Sequence, residues 1–248
     1  MTKHALILPT YNERPNIAAL IEVIFRTVPH DLSILVVDDN SPDGTGEVVR
    51  ELATRYPRLS LLHREKKEGL GPAHLAGFAY VLAHPSYVTV TMMDADFSHN
   101  PRYLPEMLKQ AGSHDLVVGS RYVRGGGVSS EWGVPRKILS RLGNWYINFW
   151  YHYPLRDWTG GYNTIRTDAL RRASIEKLDP KGYSFVPALK YALLKTGSSF
   201  LETPIHFEER RAGTSKVSLG IALESLKTPL RVRAAYRKNI KTFPVKDE

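Results

Sequence analysis

The chain has 248 residues, 42% of them hydrophobic, which suits one large α/β domain. It contains no cysteine, so disulfides, thiolate catalysis and thiolate metal sites are excluded. The formal net charge of +9 favours polyanionic partners such as nucleotides, nucleic acid or anionic lipid headgroups. No stretch approaches the roughly 18 apolar residues of a membrane span, and the N-terminus lacks a signal-peptide core, so we expect a soluble or peripheral protein.

The first hundred residues alternate between strands and helices. The predicted strands are residues 5–8, 33–37, 60–63 and 87–93, and the predicted helices are residues 15–28, 46–56 and 73–83. Strands separated by amphipathic helices indicate βαβ units and a mainly parallel, twisted sheet. Because ligands bind beyond the carboxyl ends of such strands, the polar residues there are the candidate site.

The pattern is less regular beyond residue 101. We predict strands at residues 115–120 and 200–207, helices at 138–151 and 188–196, and a flexible glycine loop at 125–127. Residues 1–222 would form the folded domain, followed by a basic segment at 223–248. That segment has seven basic and no acidic residues from Lys227 to Lys246. It is either an amphipathic helix, started or interrupted by Pro229, or a solvated tail.

Asp94 and Asp96 directly follow the apolar run of residues 87–93. At a strand end this spacing places both side chains on one side of the chain. Adjacent carboxylates repel unless a cation lies between them, and Mg²⁺ and Mn²⁺ prefer oxygen ligands and commonly bridge to phosphate. A solvated acidic turn is the competing interpretation.

Two other strand ends carry polar side chains. Tyr11 and Glu13 can stack on and hydrogen-bond a nucleotide base, although Tyr11 could also simply pack at the edge of the sheet. Asp38 and Asp39 end the second strand on opposite faces. One of them can accept hydrogen bonds from a base or ribose, while the other caps the following loop. The convergence of three polar strand ends favours a metal and nucleotide site over an acidic turn.

Positive side chains are needed to balance these acids and any phosphate groups. Arg121 and Arg136 flank the glycine loop, and Arg210 and Lys216 follow later. Arginine binds phosphate in a bidentate manner, so these residues together suggest a site for a diphosphate and a second phosphate. A phosphate acceptor is already nucleophilic and needs no general base. His99, beside the acidic pair, is the one histidine suggested as a participant.

Several motifs occur in a fixed order along about residues 4–220. They are residues 9–13, 37–45, 69–71, 93–99, 119–122, 125–128, 136–137, 157–161, 181–185 and 213–216. In this ordered set the chain resembles the dolichyl-phosphate (polyprenol-phosphate) mannose synthases among the inverting family 2 glycosyltransferases. The resemblance implies a GT-A fold and a metal-dependent, inverting transfer of mannose from GDP-mannose to a polyprenyl phosphate.

The resemblance also implies roles for individual residues. Those expected to contact the nucleotide are Pro9, Tyr11, Glu13, Val37 and Asp39. Those expected at the Mg²⁺ or Mn²⁺ ion and the diphosphate are Asp94, Ala95 and Asp96, with Ser98 completing the metal shell. Those expected to bind phosphates are Arg121, Arg210 and Lys216, with Arg136 at the acceptor phosphate. Asp94, Asp96 and Arg121 are the expected catalytic residues.

The implied location is cytoplasmic, peripheral on the cytosolic face of a membrane, with a small membrane protein as a further partner. The aromatic residues at 145–150 would lie near the lipid. Two positions depart from the family pattern. Asn163 replaces a basic residue after Tyr162, and residues 186–188 replace Gln-x-Glu. The second departure removes a carboxylate and adds a proline, so it bears on sugar or acceptor preference.

Three alternatives remain open at the level of sequence. One keeps the fold but uses a UDP-sugar, glucose or N-acetylglucosamine, with undecaprenyl phosphate as acceptor. Another is a catalytically silent relative that binds a nucleotide sugar, suggested by residues 186–188. The third, a nucleic-acid-binding module, is disfavoured because acids at three strand ends would repel a phosphate backbone. We therefore expect no nucleic-acid partner.

Overall fold

The computed structural model of the protein describes residues 3–28, 30–175, 178, 185–210 and 219–237. Its strands are β1 (Lys3–Thr10), β2 (Leu32–Asp38), β3 (Leu59–His63), β4 (Tyr87–Met92), β5 (Leu116–Ser120), β6 (Gly127–Val128), β7 (Asn163–Arg166), β8 (Phe200–Pro204) and β9 (His206–Phe207). Its α-helices are α1 (Arg14–Thr27), α2 (Thr45–Arg55), α3 (Leu70–Leu82), α4 (Leu104–Gln110), α5 (Val134–Tyr151), α6 (Thr167–Arg172), α7 (Phe185–Lys195) and α8 (Leu219–Arg237). A short 3₁₀-helix, Pro101–Tyr103, precedes α4.

A seven-stranded sheet in the order β3-β2-β1-β4-β7-β5-β8 forms the centre of the described structure. The neighbouring pairs β1–β2, β1–β4, β2–β3 and β5–β8 are parallel. Only β7 runs against its neighbours in this sheet, since it is antiparallel to both β4 and β5. The mainly parallel sheet predicted from the sequence is therefore confirmed.

Alternating side chains along the strands supply two separate apolar cores, one on each face of the sheet. In β1, Ile7 belongs to the core formed with α3, α6 and α7, whereas Leu6 and Leu8 belong to the core formed with α1. This follows from the two-residue period of a strand. Fully burying one such Leu or Ile side chain contributes about 1.5–3 kcal/mol.

Several predicted boundaries differ from those in the structure. Helix α5 begins at Val134, with Pro135 in its first turn, because proline is well suited to a helix start. The predicted strand at 200–207 is divided between β8 and β9 at the buried residue Ile205. The predicted glycine loop was partly wrong, since Gly127 lies in β6 and pairs with β9.

Helix α8 crosses the predicted boundary between residues 222 and 223. It runs through Pro229, so this residue neither starts nor ends the helix. It packs on the rest of the fold, because Arg233 donates to the carbonyl of Trp150 at 3.0 Å and Tyr236 meets the ring of Tyr191 edge to face. None of the helices described is long and apolar enough to cross a bilayer. The end of the basic segment, residues 238–248, lies outside the described residues.

Candidate active site

A cleft of about 420 Å³ lies at the carboxyl ends of β1, β2 and β4. The predicted site residues that line it are Pro9, Tyr11, Glu13, Asp39, Asp94, Ala95, Asp96 and Arg210. Parallel strands bring these segments together although they are far apart in sequence. Lys67 and Glu68 also line the cleft and were not predicted. Another cleft, of about 500 Å³, lies beside Phe25 and Arg58. Because it contains none of the predicted site residues, it is not a candidate active site.

The two carboxylates of the acidic pair have different surroundings. Asp96 is almost fully buried, and its Oδ2 forms an ion pair with Arg210 Nε at 2.8 Å. Its Oδ1 accepts hydrogen bonds from the backbone N–H of Ser98 at 3.0 Å and from the Ser98 hydroxyl at 2.5 Å. The Asp94 side chain is 32% exposed. Asp94 is therefore the more open of the two to a ligand in the cleft.

The cleft has an excess of negative charge. Burial raises the pKa of Asp94, and the neighbouring charge of Asp96 adds to the rise, while Arg210 and Arg121 oppose it. Burial also raises the pKa of Glu13, whose carboxylate is close enough to Asp94 and Asp96 to be affected by their charges. Carboxylate oxygens close enough to disfavour one another's ionisation suit a divalent cation.

Among the described residues, no three His, Asp or Glu side chains form a cluster suited to a metal ion. Asp94 and Asp96 can thus supply only part of a coordination shell. This fits Mg²⁺ and ions like it, which commonly bind through one or two carboxylates together with phosphate oxygens and water. Ser98, which we predicted to complete the shell, is fully buried, and its hydroxyl donates to Asp96.

His99 is buried beneath the acidic pair. Its Nδ1 accepts a hydrogen bond from the backbone N–H of Asp94 at 3.0 Å, so the proton of the neutral ring lies on Nε2. Its ring stacks on Tyr162 at 4.9 Å between centroids and meets Phe207 edge to face. Burial lowers the pKa of His99, which favours the neutral ring. The contacts of His99 thus support the acidic loop.

Asp38 and Asp39 have different contacts. Asp38 is fully buried and caps the following loop, since it accepts hydrogen bonds from Thr10 Oγ1 and from the N–H and hydroxyl of Ser41. Asp39 lines the cleft. Its carboxylate accepts from the backbone N–H of Glu68 at 2.9 Å and of Gly69 at 2.7 Å.

One end of the cleft places a cation against an aromatic ring. Lys67 Nζ lies 3.6 Å from the centroid of Tyr11. Gly69 is the N-cap of α3 with φ +100°, a conformation that glycine adopts readily. Val37, which the resemblance placed at the nucleotide, is fully buried in the core and does not line this cleft.

The predicted phosphate-binding cations lie in different places. Arg210 contacts Asp96 in the cleft, whereas the Arg121 guanidinium is buried against Asp157. Arg136 is paired with Glu209 at 3.1 Å, and its guanidinium lies 3.8 Å from the ring of Trp132. Lys216 lies outside the described residues. Arg136 is 45% exposed at the start of α5.

A second cleft of about 430 Å³ adjoins Arg121 and α5. Its lining includes Arg141, Trp145 and Arg156 in addition to Arg121. Arg141 and Arg156 were not predicted, because an exposed arginine in a helix or loop has no distinguishing signal in a single sequence. The exposed guanidinium groups of Arg141 and Arg156, beside an aromatic ring, suit an anion that carries an apolar chain.

A family model described as glycosyl transferase family 2 matches residues 5–177. The chain is 42% identical over 216 residues to polyprenol monophosphomannose synthase of Mycolicibacterium smegmatis, covering 86% of this chain and 80% of that protein. It is 38% identical over 231 residues to undecaprenyl-phosphate mannosyltransferase of Micrococcus luteus, covering 93% and 94%, respectively. A solved mannosyltransferase from Pyrobaculum calidifontis, in complex with GDP-Man and Mn²⁺, has a TM-score of 0.59 at 18% identity and covers 97% of this chain and 76% of that chain.

The mainly parallel sheet, flanked by helices and with an acidic cleft at its strand ends, defines a GT-A fold. The chain belongs to glycosyl transferase family 2. The fold and the family resemblance predicted from the sequence are both confirmed.

Proposed function

We propose that the protein transfers mannose from GDP-mannose to a polyprenyl phosphate. The observation that carries this proposal is the convergence of Glu13, Asp39, Asp94 and Asp96 with Arg210 in one cleft. Relatives named as polyprenol-phosphate and undecaprenyl-phosphate mannosyltransferases support the choice of sugar and acceptor. A phosphate oxygen of the acceptor attacks the anomeric carbon. The bond from that carbon to GDP breaks, and the configuration inverts.

The donor would bind along the first cleft. Tyr11 and Lys67 would hold the base, and Asp39 would accept hydrogen bonds from the base or the ribose. Asp94 and Asp96 would hold Mg²⁺ or Mn²⁺, which neutralises the charge that develops on the departing diphosphate. Arg210, already against Asp96, would bind a phosphate oxygen. The acceptor phosphate is anionic, so no side chain has to remove a proton.

The acceptor phosphate would approach from the second cleft. Arg121 lines that cleft, and its charge also acts on Asp94 in the first one, so it connects the two sites electrostatically. Arg141 and Arg156 would attract the phosphate group, and Arg136 would contact it at the start of α5. In this proposal the two substrates bind in separate clefts, and Arg121 lines the one that takes the acceptor.

Helix α5 would place the enzyme at the cytosolic face of a membrane. Its exposed apolar residues are Val134, Ile138, Leu139, Leu142, Trp145 and Phe149. Successive spacings of four, one, three, three and four residues bring them to one broad side of the helix. Arg136, Lys137 and Arg141 on the same helix add positive charge, which suits anionic headgroups. The isoprenoid chain of the acceptor would leave the second cleft along this surface.

The test is a transfer assay with radiolabelled nucleotide sugars and a short polyprenyl phosphate, with Mg²⁺, Mn²⁺ or a chelator. We expect transfer from GDP-mannose that stops with chelation, and a loss of about 100-fold in Asp96→Ala. Asp168→Ala, at an exposed carboxylate on α6, is the matched control and should retain activity. Transfer from UDP-glucose or UDP-N-acetylglucosamine in place of GDP-mannose would overturn the proposed donor. Binding of GDP without any transfer would indicate a silent relative.

A further inference from the structure

The loop of residues 156–161, between α5 and β7, is held through its backbone by buried and partly buried polar side chains. Glu202 accepts hydrogen bonds from the N–H of Arg156 at 2.9 Å and of Asp157 at 3.0 Å. Asn144 Oδ1 accepts from the N–H of Trp158 at 2.7 Å and of Thr159 at 3.2 Å. Side chains of β8 and α5 therefore satisfy consecutive donors of this loop.

The carbonyl groups of the same loop are held by a lysine. Lys190 Nζ donates to the carbonyl oxygen of Asp157 at 2.7 Å and to that of Gly160 at 2.9 Å. Lys190 is only 1% exposed, and all its neighbours from Phe185 to Leu194 in α7 are buried. Burying an ammonium group in an apolar helix is costly unless it is well paired, so its position needs a reason.

The loop that Lys190 holds contacts Arg121 on one side and passes close to Asp94 on the other. The Asp157 carboxylate accepts hydrogen bonds from Arg121 Nε at 2.8 Å and Nη2 at 2.7 Å, and Thr159 Oγ1 accepts from Nη2 at 2.7 Å. On the other side, a Cβ atom added at Gly161 would lie 3.8 Å from the Asp94 carboxylate. A shift of this loop would therefore move Arg121 and disturb the surroundings of Asp94 together.

One departure from the family pattern lies at the same carbonyl group. Where the resemblance leads us to expect a basic residue after Tyr162, Asn163 stands, and its Nδ2 donates to the Gly160 carbonyl at 3.0 Å. Lys190 donates to that same oxygen from α7. In this chain the Gly160 carbonyl therefore accepts hydrogen bonds from both Asn163 and the positively charged Lys190 of α7.

We propose that Lys190 is a positioning residue for the transfer reaction. It fixes the loop that holds Arg121 and lies against Asp94, and so sets the distance between the acceptor cation and the donor diphosphate. This inference rests on the proposed function, because it assigns Lys190 a role in the same site. A purely structural lysine would affect the stability of the fold and leave turnover by the folded enzyme unchanged.

The experiment compares Lys190→Met with Lys195→Met, which removes the partly buried lysine in the last turn of the same helix. At a temperature where circular dichroism shows both variants folded, we expect Lys190→Met to lower kcat by about 10- to 100-fold, with the KM for the nucleotide sugar changed less. Lys195→Met should stay within about twofold of wild type. If Lys190→Met does not fold, Lys190→Gln, which retains donors without the charge, replaces it.

The decisive readout is the coupling to Arg121. If Lys190 acts through Arg121, Lys190→Met should have much less effect on kcat in an Arg121→Lys background than in the wild type. Equal effects in the two backgrounds, or an unchanged kcat in the folded variant, would overturn the proposal.

The proposal for Lys190 and the proposed function can fail separately. The donor that the wild type uses tests the proposed function. The ratio of the kcat of Lys190→Met to that of the wild type on that donor tests the role of Lys190. If no donor is used, calorimetry of pyrophosphate binding with Mn²⁺ takes the place of turnover. Lys190→Met should then weaken binding by about fivefold or more, and Lys195→Met should leave it unchanged. Equal affinities of Lys190→Met and the wild type for pyrophosphate would overturn the proposed role of Lys190.

Discussion

Asp157 and Arg121 form a bidentate ion pair whose two side chains are 0% and 7% exposed. The backbone N–H groups of Arg121 and Gly160 also donate to the same carboxylate. Burial disfavours the charged form of Asp157, but the charges of Arg121 and Lys190 overcome this and lower its pKa to about 2. The pair is thus a charged, fully hydrogen-bonded unit between the two proposed substrate sites.

Asp157→Asn is expected to destabilise the fold because it leaves the Arg121 guanidinium buried without a counter-charge. Removing one partner of a buried pair costs about 3–5 kcal/mol. Urea unfolding monitored by fluorescence measures this as a lower midpoint. The control is Asp168→Asn, which removes a carboxylate 65% exposed and paired with Arg171, and it should change the midpoint little. Equal midpoints for the two variants would contradict the importance of the pair.

Lys190 predicts a pH dependence at alkaline pH. Burial lowers the pKa of Lys190 to about 8, and although Asp157 and Glu202 oppose the shift, Arg121 adds to it. Between pH 8 and the ordinary value of 10.5 the unfolded chain therefore binds the proton that the folded protein has lost, so stability rises with pH. The free energy of unfolding of the wild type, relative to Lys190→Met, should increase by about 3 kcal/mol across this window.

Urea unfolding at several pH values measures this difference. Lys195→Met serves as the reference for loss of a less buried lysine. The free energy of unfolding of the wild type relative to Lys195→Met should show no such rise with pH. A constant difference between wild type and Lys190→Met from pH 7 to pH 11 would contradict the lowered pKa.

Ser98→Ala tests how the acidic pair is held. The hydroxyl donates to Asp96 Oδ1, so its loss would free this carboxylate to change orientation. Groups that orient a metal-binding side chain typically contribute about 10- to 100-fold in metal affinity. We expect the Mn²⁺ concentration needed for half-maximal transfer to rise by that factor. Ser113→Ala, at an exposed serine whose hydroxyl bonds to Gln110, should not alter the Mn²⁺ requirement.

The apolar side of α5 predicts binding to lipid. Leu139→Glu and Trp145→Glu replace side chains that are 71% and 66% exposed, so they should leave the fold intact. The measurement is sedimentation with vesicles that contain anionic lipid. For each variant the fraction of bound protein should fall, and the partition coefficient calculated from it should be about tenfold lower than that of the wild type. Thr54→Glu adds the same charge to the exposed side of α2 and is the control. Unchanged sedimentation of the α5 variants would rule out this surface.

The donor half of the site followed closely from the sequence. Asp94, Asp96 and Asp39 were predicted because each follows an apolar strand, and a parallel sheet brings such ends to one edge. Choosing between Asp38 and Asp39 required the structure, since only the contacts with Thr10 and Ser41 show which carboxylate caps the loop.

The acceptor half could be predicted only in part. Lys190 lies among the buried apolar and aromatic residues of α7. Its partners are backbone carbonyls about 30 residues away, which leave no side-chain pattern in the sequence. Strand β7 was missed for a related reason. Its four residues, Asn163–Arg166, show no run of apolar positions, and its pairing depends on β4 and β5.

The antiparallel strand β7 has a consequence for the order in which the protein folds. In the complete sheet β4 and β5 are not neighbours, because β7, which begins only at residue 163, lies between them. During synthesis, the inner edge of β4 is therefore an open strand edge until more than 70 further residues have been added. Such edges promote association between chains. Nascent chains that stop before β7 should therefore be the species most prone to aggregate.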